Sequence, residues 1–189
     1  MNIEREKKFL LQNYSNEDIE LLISSEFYEN KSIEQYYLDL DSGLVQRAIE
    51  ECFNKETLTN AKEARVRVIN GHKYIFTVKG SGNIERIECE FMLEKGEAYY
   101  LISQASTGVV KKNRTCIPTK LGVVEIDYYK NRNLVVAEME YDNTKVSDEE
   151  VYNAVDGIVK AINPNINIID ITKNAKYKNR NLAQEIEKE

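Results

Sequence analysis

Polar and apolar residues alternate with a period of two along most of this chain, the pattern of half-buried β-strands. The clearest case is Ala64 to Ile69 (ARVRVI), followed by Asn70-Gly71, a strong hairpin signal, and a return through His72 to Lys79 (HKYIFTVK). Gly80-Ser81-Gly82-Asn83 then turns the chain into Ile84 to Leu93 (IERIECEFML). Five more strands are predicted: Ile3 to Leu11, the tyrosine-rich Ser32 to Leu40, Val109 to Ile117, Leu121 to Tyr129 and Leu134 to Tyr141.

Helical spacing interrupts this alternation in a few places. Ser15-Asn16-Glu17-Asp18 opens a helix carrying Ile19, Leu22 and Ile23, and residues 43–55 place Leu44, Val45, Ala48, Ile49 and Cys52 at helical intervals. A helix is predicted from about Glu94 to Ser106. A longer one starts at the capping box Ser147-Asp148-Glu149-Glu150 and stops at Asn163-Pro164. Ile166 to Thr172 reads as a short apolar extended piece and Asn179 to Lys188 as a polar terminal helix. With no low-complexity linker, residues 1–189 read as a single α+β domain, mostly β, with 145–189 as a C-terminal helical segment closing or flanking it.

Composition adds limits. The chain is 42% hydrophobic and 31% charged with two prolines and eight glycines, as expected of a soluble globular protein. A net charge of −6 argues against coating duplex nucleic acid, and no stretch has the length needed to cross a bilayer. Cys52, Cys89 and Cys116 are odd in number and form no C-x-x-C pair, which fits a reducing cytoplasm. Neither a nucleic acid nor a membrane is an expected partner. Monomer and homodimer stay open.

Charge follows strand parity with unusual order. Glu4, Glu6 and Lys8 leave one face of the first strand, and Arg65 and Arg67 one face of theirs. Thr77 with Lys79, Arg86 with Glu88 and Glu90, Lys112 with Arg114, Glu125 with Asp127, and Glu138 with Glu140 do the same. A solvated face explains any one of these strands. The set is different, because the signs are sorted strand by strand, and like charges two apart repel unless cations or partner strands compensate. A closed barrel with its charged face inward and helices covering its apolar face would supply that compensation. Clustered carboxylates suit Mg²⁺ or Mn²⁺, and guanidinium and ammonium groups suit phosphate oxygens, so the pattern points to a metal-bound polyphosphate.

Glu4-x-Glu6-x-Lys8 resembles the ExExK signature of the CYTH superfamily, the triphosphate tunnel metalloenzymes, and is closest in appearance to its bacterial inorganic triphosphatases. Arg65-x-Arg67, Thr77-Val78-Lys79-Gly80, Arg86-x-Glu88-x-Glu90, Lys112-x-Arg114, Glu125-x-Asp127 and Ala137-Glu138-Met139-Glu140 resemble the later blocks in the family's order. Asp170-Ile171-Thr172 and Tyr177 to Ala183 resemble its C-terminal motif. Residues 41–62 form a longer insertion than in compact bacterial members.

The resemblance implies a closed eight-stranded antiparallel β-barrel, a tunnel with a charged lumen and helices packed outside, that acts on triphosphates with Mg²⁺ or Mn²⁺. It implies metal ligands at Glu138, Glu140, Asp127 and one or both of Glu88 and Glu90. Glu4 and Glu6 would serve a second metal or the attacking water. Lys8, Arg65, Arg67, Lys79, Arg86, Lys112, Arg114 and Lys178 would grip the phosphates. The expected catalytic residues are Glu4, Glu6 and Lys8. Hydrolysis of inorganic tripolyphosphate is the favoured activity. The alternatives are a thiamine or nucleoside triphosphatase, a class IV-type adenylate cyclase, and a non-catalytic polyphosphate-binding module. His72, the single histidine, reads as an exposed hairpin residue.

Overall fold

The computed structural model describes residues 2–81, 85–141 and 145–186, and of 2–5, 85–87 and 186 it describes the backbone alone. The described residues form nine strands and six helices, an α+β fold that is mostly β. In chain order these are β1 (Asn2–Gln12), α1 (Asn16–Ile23), β2 (Glu29–Tyr37), α2 (Gly43–Cys52), α3 (Lys55–Asn60), β3 (Glu63–Ile69), β4 (Lys73–Lys79) and β5 (Glu85–Leu93). There follow α4 (Lys95–Ile102), β6 (Val110–Pro118), β7 (Val123–Tyr129), β8 (Val135–Glu140), α5 (Asp148–Ile162), β9 (Asn167–Asp170) and α6 (Asn179–Ile186). No described helix is long and apolar enough to cross a membrane.

The sheet order is β5-β4-β3-β2-β6-β7-β8-β1-β9, and β5 additionally pairs with β1. The closed eight-stranded barrel expected from the sequence is not supported as such, because the sheet has nine strands. The ninth is the apolar piece expected near Ile166. As β9 it pairs antiparallel with the end of β1, Phe9 opposite Asp170 and Gln12 opposite Asn167. β1 can accept it because it is eleven residues long and pairs with β8 through Glu6–Leu10.

The chain packs into two compact units. The first is mainly Ile33–Lys111 with Asn174–Glu189. Here Val66, Phe76 and Val78 on the apolar face of β3 and β4 pack with Val45 and Ile49 of α2 and Ala98 and Leu101 of α4. Burying this set is the main stabilising term. The β3–β4 hairpin turns through Asn70, Gly71 and His72, Ile69 pairing with Lys73, and Asn70 and Gly71 take positive φ values of 52° and 74° in the turn. The single helix expected over 43–55 is instead two. The Asn54 side chain accepts a hydrogen bond from the Thr57 amide at 2.8 Å, which caps a new helix after α2 ends. α4 stops short of Ser106, where Ala105 forms a β-bridge with Leu38. The turn expected over Gly80–Asn83 lies partly outside the described residues.

The second unit comprises Glu4–Ser32 and Lys112–Lys173. Phe9, Val124, Ile126, Ala137 and Met139 form the apolar face of its strands, packed under Ile19 and Leu22 of α1 and Val151, Val155 and Val159 of α5. The Ser147 capping box is present, its hydroxyl accepting from the Glu150 amide. In each unit helices cover the apolar face, which leaves the charged parity on the opposite side.

Candidate active site: two charged sheet faces

Register turns the parity of the second unit into a cluster. Lys8 stands opposite Glu138, Glu138 opposite Glu125, and Arg114 opposite Asp127. Three cations thus meet three carboxylates. Lys8 Nζ lies 2.7 Å from Glu138 Oε1. Arg114 donates from Nε and Nη2 to the two Asp127 oxygens, each at 2.7 Å, from Nη2 to Glu138 Oε2 at 3.0 Å, and from Nη1 to Glu125. Lys112 donates to Asp127, both side chains being fully buried, and its ammonium sits 5.6 Å from the Tyr129 ring centroid.

Burial and neighbouring charge compete across this cluster. Burial alone would favour neutral carboxyls at Asp127 and Glu138, yet Arg114, Lys112 and, for Glu138, Lys8 hold both below the usual range. Glu125 goes the other way. Burial raises it, Glu138 and Asp127 add to the rise, and Arg114 opposes it without reversing it. Burial would also depress Lys8, but Glu138, Glu6 and Asp127 leave it raised. Lys112 is pushed down to about 8 by burial and the adjacent Arg114, which Asp127 and Glu138 only partly offset. Asp127 is therefore held ionised mainly by Arg114, and its help to Lys112 is shared.

Glu6 and Glu140 are directly opposed across β1 and β8, with Glu140 exposed. Cys116 follows Lys112 and Arg114 on the same face, opposite Glu125, and burial raises its thiol. The side chain of Glu4 lies outside the described residues.

The first unit carries a second charged face. Cross-strand rows run Tyr37–Arg65–Thr77–Glu90 and Gln35–Arg67–Ile75–Met92, with Glu63 opposite Lys79 and Lys79 opposite Glu88. Lys79 Nζ is 2.7 Å from Glu88, Arg65 lies 3.8 Å from Glu63 and 3.9 Å from Glu88, and Arg67 lies 3.7 Å from Glu90. Thr77 donates to Glu90 at 3.1 Å. Burial would depress the Arg65 guanidinium, but Tyr37, Glu63 and Glu88 beside it hold it above its ordinary value. The Arg86 side chain lies outside the described residues. Lys178 stands half-buried between a 3-10 turn at Ala175–Tyr177 and α6.

The structure thus brings Lys8, Lys112, Arg114, Asp127 and Glu138 together, and separately Arg65, Arg67, Lys79, Glu88 and Glu90. Glu125 is an addition, noted in the sequence on the Asp127 face but not placed among the ligands. Tyr37 and Gln35 are further additions, placed by the register of β2 on β3, and Glu63 is another, placed by that of β3 on β4. Among the described residues no three Asp, Glu, His or Cys side chains are grouped so that they could hold a metal ion. The carboxylates close onto Arg and Lys instead. As a donor set they are all oxygen, which fits a hard divalent cation by chemistry.

Fold and faces define an antiparallel α+β protein with an ion-paired cluster buried against its sheet. The CYTH domain profile matches residues 2–163, and the chain belongs to that family. Among solved structures it is similar to the inorganic triphosphatase NE1496, at 20% identity and a TM-score of 0.51 over 97% of this chain and 96% of that one. It is similar to the PH1819 protein of Pyrococcus horikoshii OT3, at 17% identity and a TM-score of 0.52 over 98% and 99% of the two chains. A putative adenylate cyclase of Bacillus halodurans aligns at 19% identity and a TM-score of 0.50 over 86% and 91%. At these identities the likeness is one of fold. No curated protein matches the chain significantly.

Proposed function

We propose that this chain is a metal-dependent triphosphatase that hydrolyses the terminal phosphoanhydride of inorganic tripolyphosphate by in-line attack of water. The observation that carries this reading is the three-on-three cluster of Lys8, Lys112 and Arg114 with Glu125, Asp127 and Glu138. A buried set of balanced charges gives little net stability, and it supplies what phosphoryl transfer demands. Family membership and the triphosphatase neighbour support it.

In this reading Glu138, Glu140 and Asp127, with Glu4 and Glu6, would hold Mg²⁺ or Mn²⁺, and Glu88 and Glu90 are further candidates. The bound cation would supply neutralisation of phosphate charge and acidification of water. Lys8, Lys112 and Arg114 exchange their carboxylate partners for non-bridging oxygens, the Arg fork binding two at once. Arg65, Arg67, Lys79 and Arg86 form a phosphate-binding face of the first unit, with Lys178 as an added cation. Glu4 and Glu6 orient the attacking water. Charge that moves outward onto the phosphate oxygens in the transition state meets fixed cations that need no reorganisation. The three cysteines are unpaired, which supports a cytoplasmic location.

The test is a phosphate-release panel of tripolyphosphate, ATP, thiamine triphosphate and pyrophosphate, each with Mg²⁺ or Mn²⁺, with cyclic AMP followed in parallel. Tripolyphosphate should be preferred, and Glu140→Gln and Lys8→Ala should each lose on the order of 10²–10³ in rate. Cyclic AMP with pyrophosphate as products would make the protein a cyclase. Binding without turnover would make it a binding module.

A further inference from the structure

Gln35 lies on the charged face of the first unit and takes no part in the ion pairs there. It sits on β2 directly opposite Arg67, between Tyr37, which faces Arg65, and Ile33, which faces Ile69. Ile33, Ile69 and Ile75 form a small apolar cluster at this end of the face. Gln35 is therefore at the boundary where an apolar floor meets two guanidinium groups. It is 2% exposed. Its amide oxygen has no hydrogen-bond partner among the described residues, and nearby the Nε of Arg65 is likewise buried without one.

A buried carboxamide without a partner is costly, because its desolvation goes uncompensated. A residue serving only packing at this position would be better as Leu or Met, both close to Gln in volume. With no internal bond fixing the amide, the side chain is free to turn and place Nε2, a neutral donor, where Oε1 now stands beside Arg65 and Arg67. With the amide turned, Gln35 Nε2 and the Arg65 Nε are two buried donors on one cationic face, and a ligand rich in acceptors satisfies both.

We propose that Gln35 is a further substrate-binding residue, donating its amide N–H to a non-bridging oxygen of the polyphosphate while the unpartnered Arg65 Nε takes another. This rests on the reading of the chain as a triphosphatase and adds to it a contact that the charge pattern does not contain.

The experiment compares wild type with Gln35→Leu and Gln35→Glu, the second keeping an acceptor but losing the donor. Tripolyphosphate binding is measured by calorimetry, turnover by phosphate release, and stability by thermal unfolding. Both variants should bind tripolyphosphate about ten- to a hundredfold more weakly, as expected for a lost hydrogen bond to a charged oxygen. KM should rise in step while kcat changes by no more than about threefold, the Leu variant melting no lower than wild type. Unchanged affinity in either variant overturns the proposal, whether or not the melting point moves. Wild-type affinity retained by Glu alone would assign the role to the amide oxygen and overturn it too. Wild type that binds tripolyphosphate without cleaving it removes the hydrolase reading while the Gln35 comparison still stands. Wild type that does not bind removes both.

Discussion

Removing Arg114 is the sharpest perturbation of the buried cluster. Its guanidinium contacts Glu125, both oxygens of Asp127, and Glu138. In Arg114→Met the balance of three cations and three carboxylates becomes two against three. Lys112 keeps Asp127 and Lys8 keeps Glu138, while Glu125 loses its ion-pair partner. Breaking a buried pair by deleting one member costs about 3–5 kcal/mol. For a chain of this size that is roughly 6–20 °C in Tm, at about 2–4 °C per kcal/mol.

The assay is urea and thermal unfolding of metal-free protein followed by circular dichroism, with Arg114→Met/Glu125→Gln as the rescue. Neutralising Glu125 should recover a large part of the loss. The sign with pH is also fixed. In the Arg114→Met variant Glu125 has a folded-state pKa further above its unfolded value, so the folded state binds more protons and the deficit shrinks as pH falls through that folded pKa. A deficit below about 1 kcal/mol, or one that neither the rescue nor acidification reduces, would refute the account of a charge-balanced cluster.

Other outcomes follow from single residues. Lys112 has its folded pKa lowered to about 8, so between that value and its ordinary 10.5 the unfolded state binds more protons. Its contribution to stability therefore rises with pH across that window. The wild-type minus Lys112→Met difference in urea midpoints should move upward from pH 8 to pH 10. Gly71→Ala meets open space but must adopt a φ of +74°, and should cost about 1 kcal/mol in thermal unfolding. Gly122→Ala should cost more, because at φ +147° its Cβ would also stand 3.1 Å from the Glu140 carbonyl oxygen. Ser147→Ala removes the α5 cap and should lower stability by about 1 kcal/mol, measurable as a drop in urea midpoint at constant slope.

Strand parity was the legible part of this fold. Ala64–Ile69, Lys112–Arg114, Val124–Tyr128 and Ala137–Tyr141 each declare a charged and an apolar side, and the structure packs the apolar ones under helices. β9 was not legible as a strand of the sheet, because four residues without alternation carry no pairing information. The break between α2 and α3 was hidden because Asn54 acts through a side-chain cap, while the apolar spacing runs on past it. Partners within the site were legible only as to face. Which carboxylate meets which cation is decided by register, which placed Glu125 diagonally from Arg114 and Gln35 opposite Arg67. The weak alternation of β2 gave no warning of Gln35, whereas the adjacent Tyr36 and Tyr37 had to point to opposite faces of a strand.

The cluster is better explained by chemistry than by stability. Lys112 is wholly enclosed, and its depressed pKa means that its environment disfavours the very charge it carries at neutral pH. An apolar side chain would fill the same space at lower cost. In the proposed reading an arriving phosphate group would reverse that balance. It would bring negative charge to a point where Arg114 and Lys112 repel each other, favour the protonated ammonium, and release Arg114 from the three acids that now share it. The acids would then become available as oxygen donors to a cation travelling with the phosphate. Binding energy would be drawn from relief of repulsion between fixed cations, which requires that they be held close together before the ligand comes. The adjacency of Lys112 and Arg114 on one strand face, enforced by a two-residue spacing, is the sequence-level cause.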